Sequence, residues 1–144
     1  EKVANFMKFL APPPGVKLTP TAAAGQQLFT VAGCAVCHVP SMMTAPSKDP
    51  AFDRKEVRLY SDLLLHDMGS LGDGIVQSPA GAREMRTSPL WGLRYSAPYL
   101  HDGRATTVEA AILAHDGEAK VSRERYLKLT PAQKKQLSEF LLSI

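Results

Sequence analysis

Cys34-Ala35-Val36-Cys37-His38 is the stretch around which the rest of this sequence is organised. Its two thiols lie three residues apart, so one short turn can present both sulfurs to the two vinyl groups of a porphyrin. The histidine that follows can bind iron through an imidazole nitrogen. These are the only cysteines among the 144 residues, and the motif uses both. The stretch therefore predicts one covalently attached haem c, with His38 as an iron ligand.

The Cys-x-x-Cys half of the motif has two other common uses. A thioredoxin-like redox pair requires a βαβ setting, which the hydrophobic pattern does not indicate. A structural zinc site requires two more cysteines or a close pair of histidines. The remaining histidines, His66, His101 and His115, are far apart in the sequence. The histidine directly after the second cysteine therefore favours haem over both alternatives.

The composition is that of one ordinary globular domain. Apolar residues make up 44% of the chain, charged residues 22%, and the formal net charge is +3. No basic block suggests a nucleic-acid partner, and no apolar run approaches the roughly 20 residues that span a bilayer. The first residues lack the features of a signal peptide. Because bacteria attach haem to this motif outside the cytoplasm, we expect a periplasmic or extracellular protein whose signal was removed earlier.

Helix signals dominate the sequence and predict an all-α, cytochrome c-like fold wrapped around the haem. Apolar residues at helical spacing, with capping residues, predict helices over 20–31, 107–115, 122–128 and 131–142. Gly25 is unfavourable within a helix unless another backbone approaches it. In small cytochromes the first and last helices cross near such a glycine, so the likeness implies that the first and last of these helices cross there. Residues 61–66 are interpreted as one or two helical turns. A short helix before the run of prolines at 12–14 divides the chain into an N-terminal helix and linker, 1–15, and a haem domain, 16–144.

The ligand opposite His38 decides between electron transfer and chemistry at an open iron site. Methionine candidates are Met42, Met43, Met68 and Met85, and histidine candidates are His66, His101 and His115. Met68 lies in a glycine-rich loop, as the methionine ligand of many small cytochromes does. His115 lies on the apolar stripe formed by Val108, Ala111 and Ile112. The residues alone leave both open, while His101 and His66 are interpreted as structural or peripheral.

Five strings together resemble the C-terminal haem domain of the dihaem oxidoreductase family, which is similar to bacterial dihaem cytochrome c peroxidases. They span Cys34–Pro40, Tyr60–Gly69, Arg86–Leu93, Tyr99–Ala105 and Glu109–Ala119. In those relatives the distal ligand of the second haem lies on the helix that the last string resembles, and the matched position here is His115. The resemblance therefore implies bis-His ligation by His38 and His115, with Met68 as the alternative. Bis-His ligation implies a lower potential than His/Met ligation.

Two departures from the family pattern bear on activity. Family members carry two haem motifs on a much longer chain, whereas this sequence has one. Met85 and Ala114 stand where the family often has tryptophan, which puts an electron-hopping route through them in doubt. The resemblance thus favours an electron-transfer protein over an autonomous peroxidase, and it implies a redox partner protein or a neighbouring haem subunit. The alternative is the second-haem half of a dihaem peroxidase-like enzyme.

Several further residues are candidates for contact with the haem. Arginine matches a carboxylate in a bidentate fork, so Arg86, Arg94 and Arg104 are candidate partners of the propionates. Trp91 and Tyr99 are interpreted as residues of the haem wall.

Overall fold

Helices and short strands alternate along this computed structural model, which describes residues 1–144. The helices are α1 (Lys2–Lys8), α2 (Pro20–Val31), α3 (Val108–Leu113), α4 (Lys120–Leu127) and α5 (Pro131–Leu141). The strands are β1 (Met42–Met43), β2 (Glu56–Val57), β3 (Leu65–Asp67) and β4 (Glu84–Arg86). Strand β1 pairs antiparallel with β2, and β3 pairs antiparallel with β4.

The all-α prediction holds for the helical core and is wrong for the middle of the chain, where these two sheets form. The helical turns predicted over 61–66 are absent, and β3 begins at Leu65. Ser61 Oγ accepts a hydrogen bond from the backbone of Leu63, and Asp62 Oδ1 accepts one from that of Leu64. These side chains capture the backbone donors of this segment in local turns, which competes with helix formation.

Threonine–proline pairs begin both long helices. Thr19 Oγ1 accepts a hydrogen bond from the backbone of Ala22, 3.1 Å away, and Pro20 occupies the first helical position. Thr130 forms a complete capping box with Gln133, and Pro131 follows it. A proline at this position loses no helical hydrogen bond and already has the helical φ angle. The predicted starts of α2 and α5 are therefore confirmed.

The helices α2 and α5 cross at Gly25, as the sequence predicted. A Cβ atom at Gly25 would lie 2.0 Å from the carbonyl oxygen of Gln136. This close approach lets Phe29 of α2 pack edge-on against Phe140 of α5, with ring centroids 5.4 Å apart. Leu137 and Phe140 are completely buried. The other members of this core are Ala22, Tyr60, Val108, Tyr126 and Leu141.

The N-terminal helix α1 buries none of its residues. Its nearest aromatic contact joins Phe9 and Phe52, whose ring centroids are 5.1 Å apart. After the prolines, the backbone of Val16 donates to the carbonyl of Ser143, so the end of this segment lies against the C-terminus. None of the helices has both the length and the apolar character that a bilayer crossing requires. The division at residue 15 stays a prediction.

Replacing Gly25 by alanine is expected to destabilise the fold by about 3 kcal/mol, because the added methyl meets backbone that cannot rotate away. Denaturant unfolding would measure the change. Gly15→Ala is the matched control: its Cβ would lie 3.7 Å from the nearest atom outside its chain neighbours, and it should change stability by less than about 0.5 kcal/mol. Equal stability of the two variants would contradict the crossing.

Candidate haem-binding site

The Cys-x-x-Cys-His stretch follows directly from the end of α2. Gly33, with φ of +86°, turns the chain in a left-handed conformation that suits glycine. A single 3₁₀ turn over Cys34–Val36 then carries the first thiol. Both cysteines are free and half-buried, and burial raises the pKa of the Cys34 thiol to about 11. At neutral pH this group is a protonated thiol, which does not fit a nucleophile that needs the thiolate form.

His38 is oriented by the main chain of a distant segment. Its Nδ1 lies 3.0 Å from the carbonyl oxygen of Tyr60. A carbonyl only accepts, so Nδ1 carries the proton and the lone pair of a neutral ring is on Nε2. Burial lowers the pKa of His38 to about 4. The imidazole is therefore neutral at physiological pH, as a metal ligand must be.

His115 repeats this arrangement at the end of α3. The apolar stripe predicted that His115 lies on the helix. α3 ends at Leu113, so His115 lies just beyond the helix. Its Nδ1 donates to the carbonyl of Ala111 at 2.8 Å, which again leaves the lone pair on Nε2. Burial lowers the pKa of His115 too. Two neutral imidazoles with unused Nε2 atoms therefore lie in the same region.

The spacing of the two rings fits axial ligands of one iron. Their centroids are 6.4 Å apart, and their planes are inclined by 53°. Metal–imidazole bonds of about 2 Å place the centroids of two rings on opposite sides of one metal about 6 Å apart. The two thiols that would anchor a porphyrin are on the turn that precedes His38. The donor set and its spacing thus fit a covalently attached haem.

A polar cluster around His66 lies beside Cys37. His66 Nε2 is 2.8 Å from Asp62 Oδ2, and Nδ1 is 2.9 Å from Glu118 Oε2. The hydrogen bonds to Glu118 and then Asp62 raise the pKa of His66. Cys37 Sγ lies 3.9 Å from Nδ1, so these groups also resemble a small metal site. Both ring nitrogens already have carboxylate partners, however, and an imidazolium has no lone pair for a metal.

The other predicted contacts are spread around the molecule. Arg86 is exposed on β4, and Arg104 forms an ion pair with Asp102. Arg94 donates to the carbonyls of Pro14 and Ser143 at 3.4 and 3.3 Å. It therefore joins the end of the proline run to the C-terminus.

Trp91, Tyr99 and Met68 are half-buried, whereas Met42 and Met43 are exposed. Tyr99 packs against the helical core, and Trp91 lies just before the left-handed turn at Gly92. Met68 precedes the 3₁₀ turn Gly69–Leu71, and its backbone donates to the carbonyl of Arg83. Their roles at the haem, like those of the arginines, stay predictions.

Sequence reasoning missed Glu118, which lies 52 positions from its partner His66. Its only sequence signal was its place within the last string of the family resemblance, because no periodicity links an acidic residue to a histidine at such separation. Asp62 was easier to identify from the sequence as a partner of His66. A carboxylate four residues before a histidine is a common pairing within a helix, although here the segment is extended.

His66→Gln should lower stability by about 1 kcal/mol at pH 6, and by less as the pH rises. The raised pKa of His66 means that the folded state binds this proton more tightly than the unfolded state. This contribution is complete below the unfolded value near 6.5 and is lost as pH passes the folded pKa. Thermal unfolding of both proteins between pH 6 and 9 would measure the difference. A difference that grows with pH would contradict the assignment.

Comparisons with known proteins agree with a haem site. A family described as "Di-haem oxidoreductase, putative peroxidase" matches residues 3–144. The fold is similar to that of hydrazine synthase from Kuenenia stuttgartiensis, studied under 20 bar xenon, with a TM-score of 0.61 and 22% identity. The match covers 93% of this chain and 50% of that one, so the chain spans half its length. No curated protein matches significantly. Because the family match covers nearly every residue, the chain belongs to the di-haem oxidoreductase family.

Proposed function

We propose that this chain transfers electrons through one haem c, which Cys34 and Cys37 would attach and His38 and His115 would hold through the iron. Family membership supports a haem-dependent redox role. The observation that carries the finer proposal is the pair of half-buried, neutral imidazoles with ring centroids 6.4 Å apart. When bound, haem supplies a one-electron iron couple. With two histidine ligands the iron would have no open site, which favours electron transfer over peroxide chemistry.

The protein's own residues orient the ligands. The carbonyl of Tyr60 holds His38, and that of Ala111 holds His115, so each ring presents Nε2 in a fixed direction. Such hydrogen bonds from the outer ring nitrogen fix the tautomer and raise the basicity of the ligand. Arg86 and Arg104, both exposed, are proposed to face the propionates, and Trp91 and Tyr99 to line the ring. We place the protein in the periplasm or outside the cell.

Two measurements test the haem and its distal ligand. Intact-protein mass should exceed the mass of the polypeptide by one haem, and Cys34→Ser with Cys37→Ser should abolish that covalent increment. His115→Ala should convert low-spin ferric haem to a high-spin form, detected by EPR, because it removes one axial ligand. His101→Ala is the control, since this histidine is exposed. A low-spin spectrum unchanged in His115→Ala would overturn the bis-His proposal and direct attention to Met68.

A second candidate function follows from the family's two haems. The chain contains one Cys-x-x-Cys-His stretch, while the matched family is described as di-haem and as a peroxidase. This chain would then be the second-haem half of a peroxidase-like enzyme and would need a partner haem domain. Electrons would reach its iron from that partner.

Peroxide turnover separates the two candidates. The isolated haem-loaded chain, supplied with an electron donor, should reduce hydrogen peroxide at no more than the rate of free haem, because both axial positions are filled. Turnover that appears only on addition of a second haem domain would support the half-enzyme. Rapid turnover by the isolated chain would contradict both candidates.

A further inference from the structure

Two loops that flank the proposed haem site are joined by a dense set of polar contacts, here called the latch. It links residues 66–70 to residues 116–118. Glu118 is its centre: Oε2 lies 2.9 Å from His66 Nδ1, and Oε1 accepts from the backbone of Asp67 at 3.0 Å. Asp116 Oδ2 accepts from the hydroxyl of Ser70 at 2.7 Å and from its backbone at 3.2 Å.

The latch also depends on direct backbone contact. A Cβ atom at Gly117 would lie 2.2 Å from the carbonyl oxygen of Asp67. A Cβ atom at Gly69 would lie 2.9 Å from the backbone nitrogen of Gly117. Both glycines have φ of +57°, a conformation that other residues rarely adopt. The two loops are therefore packed main chain against main chain, and their separation is set to within the size of a methyl group.

The latch connects the surroundings of the two histidine ligands. On one side, the carbonyl of Tyr60 holds His38, and the backbone of Asp62 donates to the carbonyl of Cys37 at 2.9 Å. The same segment continues to His66 and Ser70. On the other side, Asp116 directly follows His115. Residues 60–70 thus form one continuous segment, which contacts His38 at its start and the residue after His115 at its end.

We propose that Glu118, through His66 and the backbone of Asp67, is a positioning residue that holds His115 in place as the sixth ligand. The inference rests on the proposed bis-His ligation. α3 ends at Leu113 and keeps His115 itself through the carbonyls of Ala111 and Ile112, whereas the peptide that follows His115 is held by the latch. The pairing of Glu118 with His66 is a charge-assisted hydrogen bond, about twice as strong as a neutral one. If the latch were loosened, His115 would be held less firmly at the site that would take the haem iron, and an external ligand would gain access more often.

The expected effect of Glu118 on the population in which His115 is displaced depends on how exposed its carboxylate is. A hydrogen bond to a charged group that is buried changes an equilibrium tenfold or more. The side chain of Glu118 is 56% exposed, while that of His66 is 17% exposed. Solvent weakens the pair accordingly, and about a fivefold increase in the open population is expected. Carbon monoxide binding to the ferrous protein reports this population, because the apparent rate scales with the competent fraction.

The test compares Glu118→Ala with Glu124→Ala in the haem-loaded chain. Glu124 is an exposed carboxylate on α4 with no ion pair, so it controls for the loss of one charge. We expect carbon monoxide to bind Glu118→Ala about fivefold faster than wild type, and Glu124→Ala at the wild-type rate. Hydrogen exchange at the backbone of Asp67 should also accelerate only in Glu118→Ala. Glu118→Gln, which keeps one oxygen acceptor, should recover part of the slow rate.

The outcomes separate the latch from the ligation itself. If Glu118→Ala and Glu124→Ala bind carbon monoxide equally fast while His115→Ala is high-spin, the latch is overturned and the bis-His haem stands. If His115→Ala keeps its low-spin spectrum, the ligation fails and the positioning role fails with it. If Glu118→Ala does not fold, His66→Ala replaces it, since it removes the partner of Glu118 Oε2. A wild-type rate in that folded variant would also overturn the proposal.

Discussion

The backbone contact between α2 and α5 at Gly25 is the constraint from which the rest of the arrangement follows. It lets the two helices approach closely enough for Phe29, Phe140 and Leu137 to form one core. Tyr60 packs on the same aromatic rings, with its centroid 5.9 Å from each phenylalanine. The core therefore fixes both the end of α2, from which the cysteines emerge, and the residue whose carbonyl holds His38. Packing in this core, against which Cys34 also lies, thus supports the geometry of the proposed iron site.

Much of this arrangement could be predicted from sequence because the signals are local. The Thr-Pro starts of α2 and α5 and the Cys-x-x-Cys-His turn each depend on residues within a few positions of one another. The crossing at Gly25 joins residues far apart in the sequence, and its local signal was a glycine within a helix. His115 was predicted as the second iron ligand from two signals, a local apolar stripe and a family resemblance. Its neutral ring and its distance from His38 required the structure.

The rest depends on contacts that sequence periodicity does not encode. Ser61 and Asp62 divert the backbone into turns, so a stretch rich in leucine becomes an extended segment rather than a helix. The bond between His66 and Glu118 joins residues 52 positions apart. Arg94 matched the chemistry of a propionate partner, and the carbonyls of Pro14 and Ser143 accept hydrogen bonds from it. These side chains have several chemically equivalent options, and periodicity alone does not decide among them.

Both candidate ligands are held by main-chain oxygens, one from residue 60 and one from residue 111. A peptide carbonyl is present whatever side chain occupies the position, so substitution there during evolution leaves the acceptor in place. It is also uncharged, so it attracts the Nδ1 proton of an imidazole less strongly than a carboxylate does. The orientation of these rings is therefore insensitive to substitutions at residues 60 and 111. Adaptation of the protein to new electron donors or acceptors must then act through the surrounding side chains.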